Sequence, residues 1–167
     1  IGVSNWTTQR IEEANKFAKE NGMEPIRISQ INYSLAHSSV ETFGDNTLVC
    51  MDTKEFRWYK KHDFPVMAFS PQAKGFFAKL AKGDAANNLP EGQYAGPANL
   101  ARLAKVKQLS EQTGDTPAKI TLGYLNSQPF FVSSVFAVTK LWQLDEDMEA
   151  QDLTYDPKTV AFLENMI

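Results

Sequence analysis

Four short apolar runs, each followed by residues at helical spacing, constrain this chain more than any other feature. Ile1-Gly-Val-Ser-Asn-Trp6 is short and ends in polar residues, Ile26 to Leu35 carries β-branched residues, Phe64 to Ser70 is too short for a helix between Asp63 and Pro71, and Phe130 to Val138 follows the break at Pro129. They read as strands. After the first, Thr7 and Thr8 offer N-cap hydroxyls to a helix that turns Ile11, Ala14, Phe17 and Ala18 inward and stops at Gly22. Asp52-Thr53 caps a short helix carrying Phe56, Trp58 and Tyr59. Asn99 is expected to cap a helix with Leu100, Leu103, Ala104 and Leu109 inward, ended by Gly114. Thr116-Pro117 restarts a helix that Pro129 ends. Leu141, Leu144 and Met148 mark one more amphipathic helix, and Asp156-Pro157 opens the last. The polar stretch from Ala36 to Cys50 reads as a loop. A second, long loop is expected at about 76–98, its glycines and prolines lying between Lys79 and Pro97.

Consecutive βα units imply a parallel sheet with helices outside it. An open doubly wound sheet and part of an eight-stranded barrel both satisfy that order. A whole barrel takes ~250 residues, so four units in 167 residues make half of one. No linker or low-complexity segment divides 1–167, which is expected to be a single α/β domain. The chain begins with Ile1, already inside a core strand, and so reads as a piece of something longer.

Composition narrows the function. Lys+Arg number 17 against 20 Asp+Glu, with no basic stripe, which argues against nucleic acid. One cysteine, Cys50, and two histidines, His37 and His62, leave no disulfide framework and no multi-cysteine or His-rich metal centre. No apolar run nears the ~20 residues that span a bilayer, and the first residues do not resemble a signal peptide. A cytoplasmic protein without a membrane role is expected.

In parallel βα folds, ligands meet the C-terminal strand ends. Here those positions hold Ser4-Asn5, Gln30 with Asn32 and Tyr33, Phe69-Ser70-Pro71, and Ala137 to Lys140. Amide and hydroxyl groups on adjacent strand ends suit a carboxamide, and an aromatic on the next suits a flat ring. The plainer reading makes Ser4 and Asn5 turn caps and Phe69 a core residue.

In order along the chain, Gly2-Val-Ser-Asn5, Ser29-Gln-Ile-Asn-Tyr-Ser-Leu35, Ala68-Phe-Ser-Pro71 with Lys74-Gly75, Thr116-Pro-Ala118 with Leu125, and Gln143-Leu-Asp-Glu-Asp147 resemble the C-terminal half of an aldo-keto reductase. The resemblance implies a (β/α)8 TIM barrel, of which this chain is strands five to eight. It implies NADPH or NADH as cofactor, bound without a Rossmann domain, and hydride transfer to a small aldehyde or ketone. Ser4, Asn5 and Gln30 would then hold the nicotinamide carboxamide, and Phe69 would stack on its ring. Ser70, Gln72 and Lys74 would lie along the pyrophosphate. Lys140, Gln143 and Asp147 would stand on the adenosine side, where Ala137, Thr139 and Asp147 depart from the residues that ordinarily favour NADP.

The family's catalytic Tyr, Lys, Asp and His lie upstream of a Gly-Val-Ser-Asn segment, so none carries over to this chain. Alone it is expected to be inactive, its partner being the missing N-terminal half barrel or a second copy of itself. The alternative is a non-catalytic half-barrel remnant that folds or self-associates without turning over nucleotide. His62, at a helix end, reads as a solvated dipole-compensating residue, and Cys50 as a small half-buried one. Trp6, Phe76, Phe77, Tyr94 and Trp142 divide between a substrate mouth and ordinary packing.

Overall fold

The computed structural model describes residues 1–83 and 94–164. Most of the long loop, with Asn87, Asn88, Pro90 and Gly92, therefore lies outside the described residues. Four strands, β1 (Gly2–Ser4), β2 (Ile28–Asn32), β3 (Val66–Phe69) and β4 (Val132–Val135), form one parallel sheet in the order β1-β2-β3-β4. That order decides between the two architectures. A doubly wound sheet must reverse its strand order at a switch point, whereas right-handed crossovers in one unbroken direction keep the helices on one face. The fold is the arc of a (β/α) barrel.

Around the sheet run α1 (Thr8–Glu20), α2 (Val40–Phe43), α3 (Thr53–His62), α4 (Phe76–Ala81), α5 (Pro97–Thr113), α6 (Pro117–Asn126), α7 (Leu141–Glu149) and α8 (Pro157–Glu164). The two sheet faces differ. Ser29, Ile31, Val66 and Ala68 are fully buried, and Ile31, Val66 and Ala68 join Tyr59, Phe76, Phe77, Ile120, Leu125 and Leu163 in the main core. The alternate residues Gln30, Met67, Phe69 and Ser133 are only half-buried, and Ser4 and Val135 are exposed. They line the concave side of the arc.

Local chemistry sets the helix boundaries. Thr7 accepts from the Arg10 amide, Asp52 from Glu55 and Thr116 from Lys119, satisfying first-turn donors. Asn21 ends α1, and Gly22 follows at φ 64° with open space where a Cβ would stand. In the expected loop of Ala36 to Cys50, Ser39 caps the short α2.

Several expectations need correction. The loop at about 76–98 is helical at both ends: Phe76–Ala81 forms α4 and α5 starts at Pro97. Gly96 is the N-cap of α5, with Pro97 in the first turn where its missing N–H costs nothing. Asn99 is no cap. It is buried inside α5, where Oδ1 accepts from His37 N at 2.7 Å and Nδ2 donates to the carbonyls of His37 and Tyr94, each at 2.9 Å. The inward face of α5 is Asn99, Lys105, Val106 and Leu109, with Leu103 half-buried, while Leu100 and Ala104 point to solvent. Two polar residues share that face with Val106 and Leu109: Asn99, bonded to backbone, and Lys105, whose Nζ is 5.3 Å from the Phe162 ring centroid. Phe17 of α1 is exposed, as are Leu141, Leu144 and Met148 of α7, whose buried residue is Asp147. Phe76 and Tyr94 belong to the core.

Candidate functional site

Backbone strain concentrates at one end of the sheet. Among the described residues five non-glycines have positive φ, and four of them, Asn5, Ser70, Ala73 and Lys74, lie just past the C-terminal ends of β1 and β3. Such residues cost about 1–2 kcal/mol each and gather where a chain is shaped for a ligand. The fifth, Asp63, merely caps α3.

Two groups of side chains occupy that end. The first is on the concave face. Ser4 and Gln30 are register partners on adjacent strands, and Phe69 pairs with Asn32 one strand further. Asn5 donates its backbone N–H to the Gln30 carbonyl at 2.9 Å. Its Oδ1 accepts from Val49 N at 3.1 Å, and its Nδ2 faces the Ser4 Oγ at 3.4 Å. The loop at Val49 is itself fixed by Asn32, whose N–H donates to the Val49 carbonyl at 3.0 Å. The Asn5 carboxamide is thus held with its donor edge toward Ser4.

The second group lines a cavity of about 740 Å³ between the turn after β3, α4 and the N-terminal half of α7. Ser70, Gln72, Lys74, Gln143 and Asp147 of the expected site all line it. Ser70 follows Phe69 directly, so the cavity begins where β3 ends. The turn is tight: Ala73 N donates to the Ser70 carbonyl and Gly75 N to the Gln72 carbonyl, both at 2.9 Å. Left-handed φ at Ala73, Lys74 and Gly75 keeps that turn from continuing as regular helix.

Three lysines, Lys74, Lys79 and Lys82, stand on the α4 side. Across from them α7 contributes Trp142, Gln143, Glu146 and Asp147. Lys82 Nζ sits 5.1 Å from the Trp142 ring centroid, in cation–π range. Gln143 is half occupied locally: its Oε1 accepts from Thr139 N, Thr139 Oγ1 and Lys140 N at 3.0–3.2 Å. Its amide NH2 is the part left for a ligand. Asp147 is buried, and Gln72 Nε2 donates to its Oδ1 at 2.7 Å. Burial pushes its carboxyl above the usual range, against the Gln72 bond that lowers it.

Lys140 is not among the cavity-lining residues; it is the exposed N-cap position of α7. Lys79, Lys82, Thr121 and Glu146 are cavity residues that the sequence reading passed over. The first two follow from α4: a helix running from Phe76 puts Lys79 and Lys82 three apart on one face, and a loop assignment hides that spacing. Trp142 borders this cavity, while Trp6 lies under Arg10, whose guanidinium carbon is 3.9 Å from the ring centroid. His62 is on the last turn of α3, with Nδ1 2.8 Å from the Trp58 carbonyl and Nε2 3.8 Å from Glu12. Cys50 is half-buried. No helix of the described residues is long and apolar enough to cross a membrane.

The model of the aldo/keto reductase family matches residues 1–167. The chain is similar to the L-glyceraldehyde 3-phosphate reductase of Escherichia coli (strain K12), at 22% identity over 183 aligned residues covering 100% of this chain and 49% of that protein. The same figures hold for the protein of that name from Escherichia coli O157:H7. The chain thus spans about half the length of the relatives it matches. With parallel βα units, a strained C-terminal sheet end and a family match over its whole length, the chain belongs to the aldo/keto reductase family.

Proposed function

We propose that this chain supplies the cofactor-binding half of an NAD(P)H-dependent reductase of small aldehydes or ketones. The observation that carries the reading is adjacency. Ser4, Asn5, Gln30 and Phe69 stand at the C-terminal ends of β1 to β3, and Ser70, the residue after Phe69, lines the lysine-sided cavity. An elongated ligand with a carboxamide-bearing ring at one end and anionic groups further along matches that layout.

The residues present fit a nicotinamide dinucleotide. The Asn5 carboxamide is oriented as a donor by its own bond from Val49, and Ser4 and Gln30 add hydroxyl and amide groups beside it. Phe69 offers a ring face for stacking. Lys74, Lys79 and Lys82 bring positive charge to where the diphosphate would run. The cavity volume is within the ~300–1,000 Å³ usual for ligand pockets. When bound, the dinucleotide supplies the hydride. The task of these residues is to hold the ring in one orientation and so convert an encounter into a positioned transfer.

The relatives' printed name describes reduction of L-glyceraldehyde 3-phosphate, an aldehyde, which fits a small carbonyl substrate. Proton donation to that carbonyl falls to residues outside this chain. The partner we propose is the other half of the barrel, meeting the free edges of β1 and β4, since the described sheet pairs neither edge. A cytoplasmic location accompanies this reading.

The test is to follow NADPH and NADH oxidation with a small aldehyde, once with these residues alone and once with the full-length protein or the two halves combined. Turnover is expected only when the barrel is complete. A folded, complete barrel that oxidises neither nucleotide with any small aldehyde or ketone would refute the proposal.

A further inference from the structure

The last residue of β2, Asn32, is a fully buried carboxamide with both ends engaged. Its Oδ1 accepts from Ser38 Oγ at 2.5 Å. Its Nδ2 donates to the carbonyl of Phe69, its register partner on β3, at 3.4 Å. The backbone of Asn32 adds two more bonds: its N–H donates to the Val49 carbonyl at 3.0 Å, and its carbonyl accepts from Met51 N at 2.8 Å. One residue thus holds both ends of the segment 38–49 and the end of β3. Ser38 reaches it from a fixed backbone, because Asn99 bonds both the N–H and the carbonyl of His37. Val49 N in turn donates to Asn5 Oδ1 at 3.1 Å.

For packing alone an apolar side chain of similar size would serve at this position, without the cost of burying polar atoms. Here the oxygen and the nitrogen are spent in opposite senses on two different loops, which fixes how those loops sit relative to each other. The same two loops govern groups given to the nicotinamide. Asn5 is reached through Val49, and Phe69 is held at its own carbonyl, just before Ser70 turns to φ 52°. We propose that Asn32, set by Ser38, is a positioning residue that keeps Phe69 and the Asn5 carboxamide in one relation, so that a nicotinamide meets both at once. Being fully buried, Asn32 acts only through the Phe69 carbonyl and the Val49 loop. The inference rests on the dinucleotide reading above and extends it to two residues outside the expected contact set.

The experiment measures what the nicotinamide ring adds to binding, by titration calorimetry on the full-length protein. NADH is compared with ADP-ribose, and NADPH with 2′-phospho-ADP-ribose, each pair differing by the nicotinamide alone. Ser38→Ala removes the donor to Oδ1, and Asn32→Asp removes the donor to Phe69; circular dichroism and the urea midpoint check that each variant folds. Each should cut the ring's contribution about 10-fold, as for one buried hydrogen bond, while the ringless nucleotides bind as they do to the wild type. Ser38→Thr, which keeps the hydroxyl, should restore most of the loss. A merely structural role would instead weaken both members of a pair alike. Should Asn32→Asp not fold, the two Ser38 variants carry the test. An unchanged ring contribution in the folded variants, or equal weakening of the ringless nucleotides, would overturn this inference and leave the dinucleotide reading intact. A wild type to which the ring adds nothing, or which binds none of the four nucleotides, would overturn both.

Discussion

Lys74 sets two physical effects against each other, so one substitution reads both. Its backbone lies at φ 55°, ψ 29°, in the left-handed region. Its side chain is exposed and lines the cavity. A non-glycine residue there costs about 1–2 kcal/mol. Glycine escapes that strain but loses about 0.5–1 kcal/mol more chain entropy on folding. Lys74→Gly should therefore stabilise the fold by about 0.5–1 kcal/mol, raising the urea midpoint with an unchanged slope. It also removes one cation from the proposed diphosphate path. At a solvent-facing site a single such contact is worth about 1 kcal/mol, so the dinucleotide dissociation constant should rise about 5-fold. Lys74→Gln separates the effects, since it keeps the strain and discards the charge. It should weaken binding equally without the gain in stability. Urea titration and calorimetry on the same preparations read the pair. Destabilisation by Lys74→Gly would refute the strained turn. Unchanged binding by both variants would refute the place given to the diphosphate.

Two further predictions concern the scaffold. The Glu55 carboxylate is buried beneath the start of α1, accepting from Thr8 N at 3.0 Å and from Thr8 Oγ1 at 3.3 Å, and burial raises its pKa above the ordinary carboxylate value. The folded state therefore holds that proton more tightly than the unfolded chain. The resulting stability is complete at low pH and is lost as pH rises from the unfolded carboxylate value through the raised folded one. Glu55→Gln should flatten that slope in urea melts taken across the carboxylate range; an unaltered slope would show that Glu55 is not its source. Gly123 is buried in α6, and a Cβ there would stand 2.8 Å from Tyr155 Cε2 and 2.9 Å from Leu153 Cγ. Both neighbours are tethered, Tyr155 through Ser127 Oγ and Leu153 through Asn126 Nδ2. Gly123→Ala should therefore destabilise by about 1–2 kcal/mol despite the better helix propensity, and a stabilised variant would contradict that packing.

The strands and their order of appearance were legible because β-branched and aromatic runs broken by Asp63, Pro71 and Pro129 leave few alternatives. The helix faces were less so. In α5 the inward positions Asn99 and Lys105 are polar and earn burial through specific partners, Asn99 by clamping the His37 and Tyr94 backbone, which no hydrophobic period reports. In α7 the apolar residues Leu141, Leu144 and Met148 are outward and Asp147 inward, the reverse of an amphipathic reading. Of the site, Ser4 and Gln30 were readable because strand register alone pairs them, and Phe69 because it ends the next strand, opposite Asn32. The Gln72–Asp147 bond spans 75 residues and needed the fold to bring its ends together. Lys79 and Lys82 were hidden by reading α4 as loop.

The central claim is that Asn5 and Gln30 meet the nicotinamide end of a dinucleotide. Amide-resolved NMR of the full-length protein, titrated in parallel with NADPH, NADH and ADP-ribose, tests it at those side chains. The account predicts that the Asn5 and Gln30 side-chain amide resonances shift with a nicotinamide-bearing nucleotide and stay put with ADP-ribose, which lacks the ring. Saturating nucleotide that leaves both resonances unmoved, or ADP-ribose that moves them as far, would contradict it.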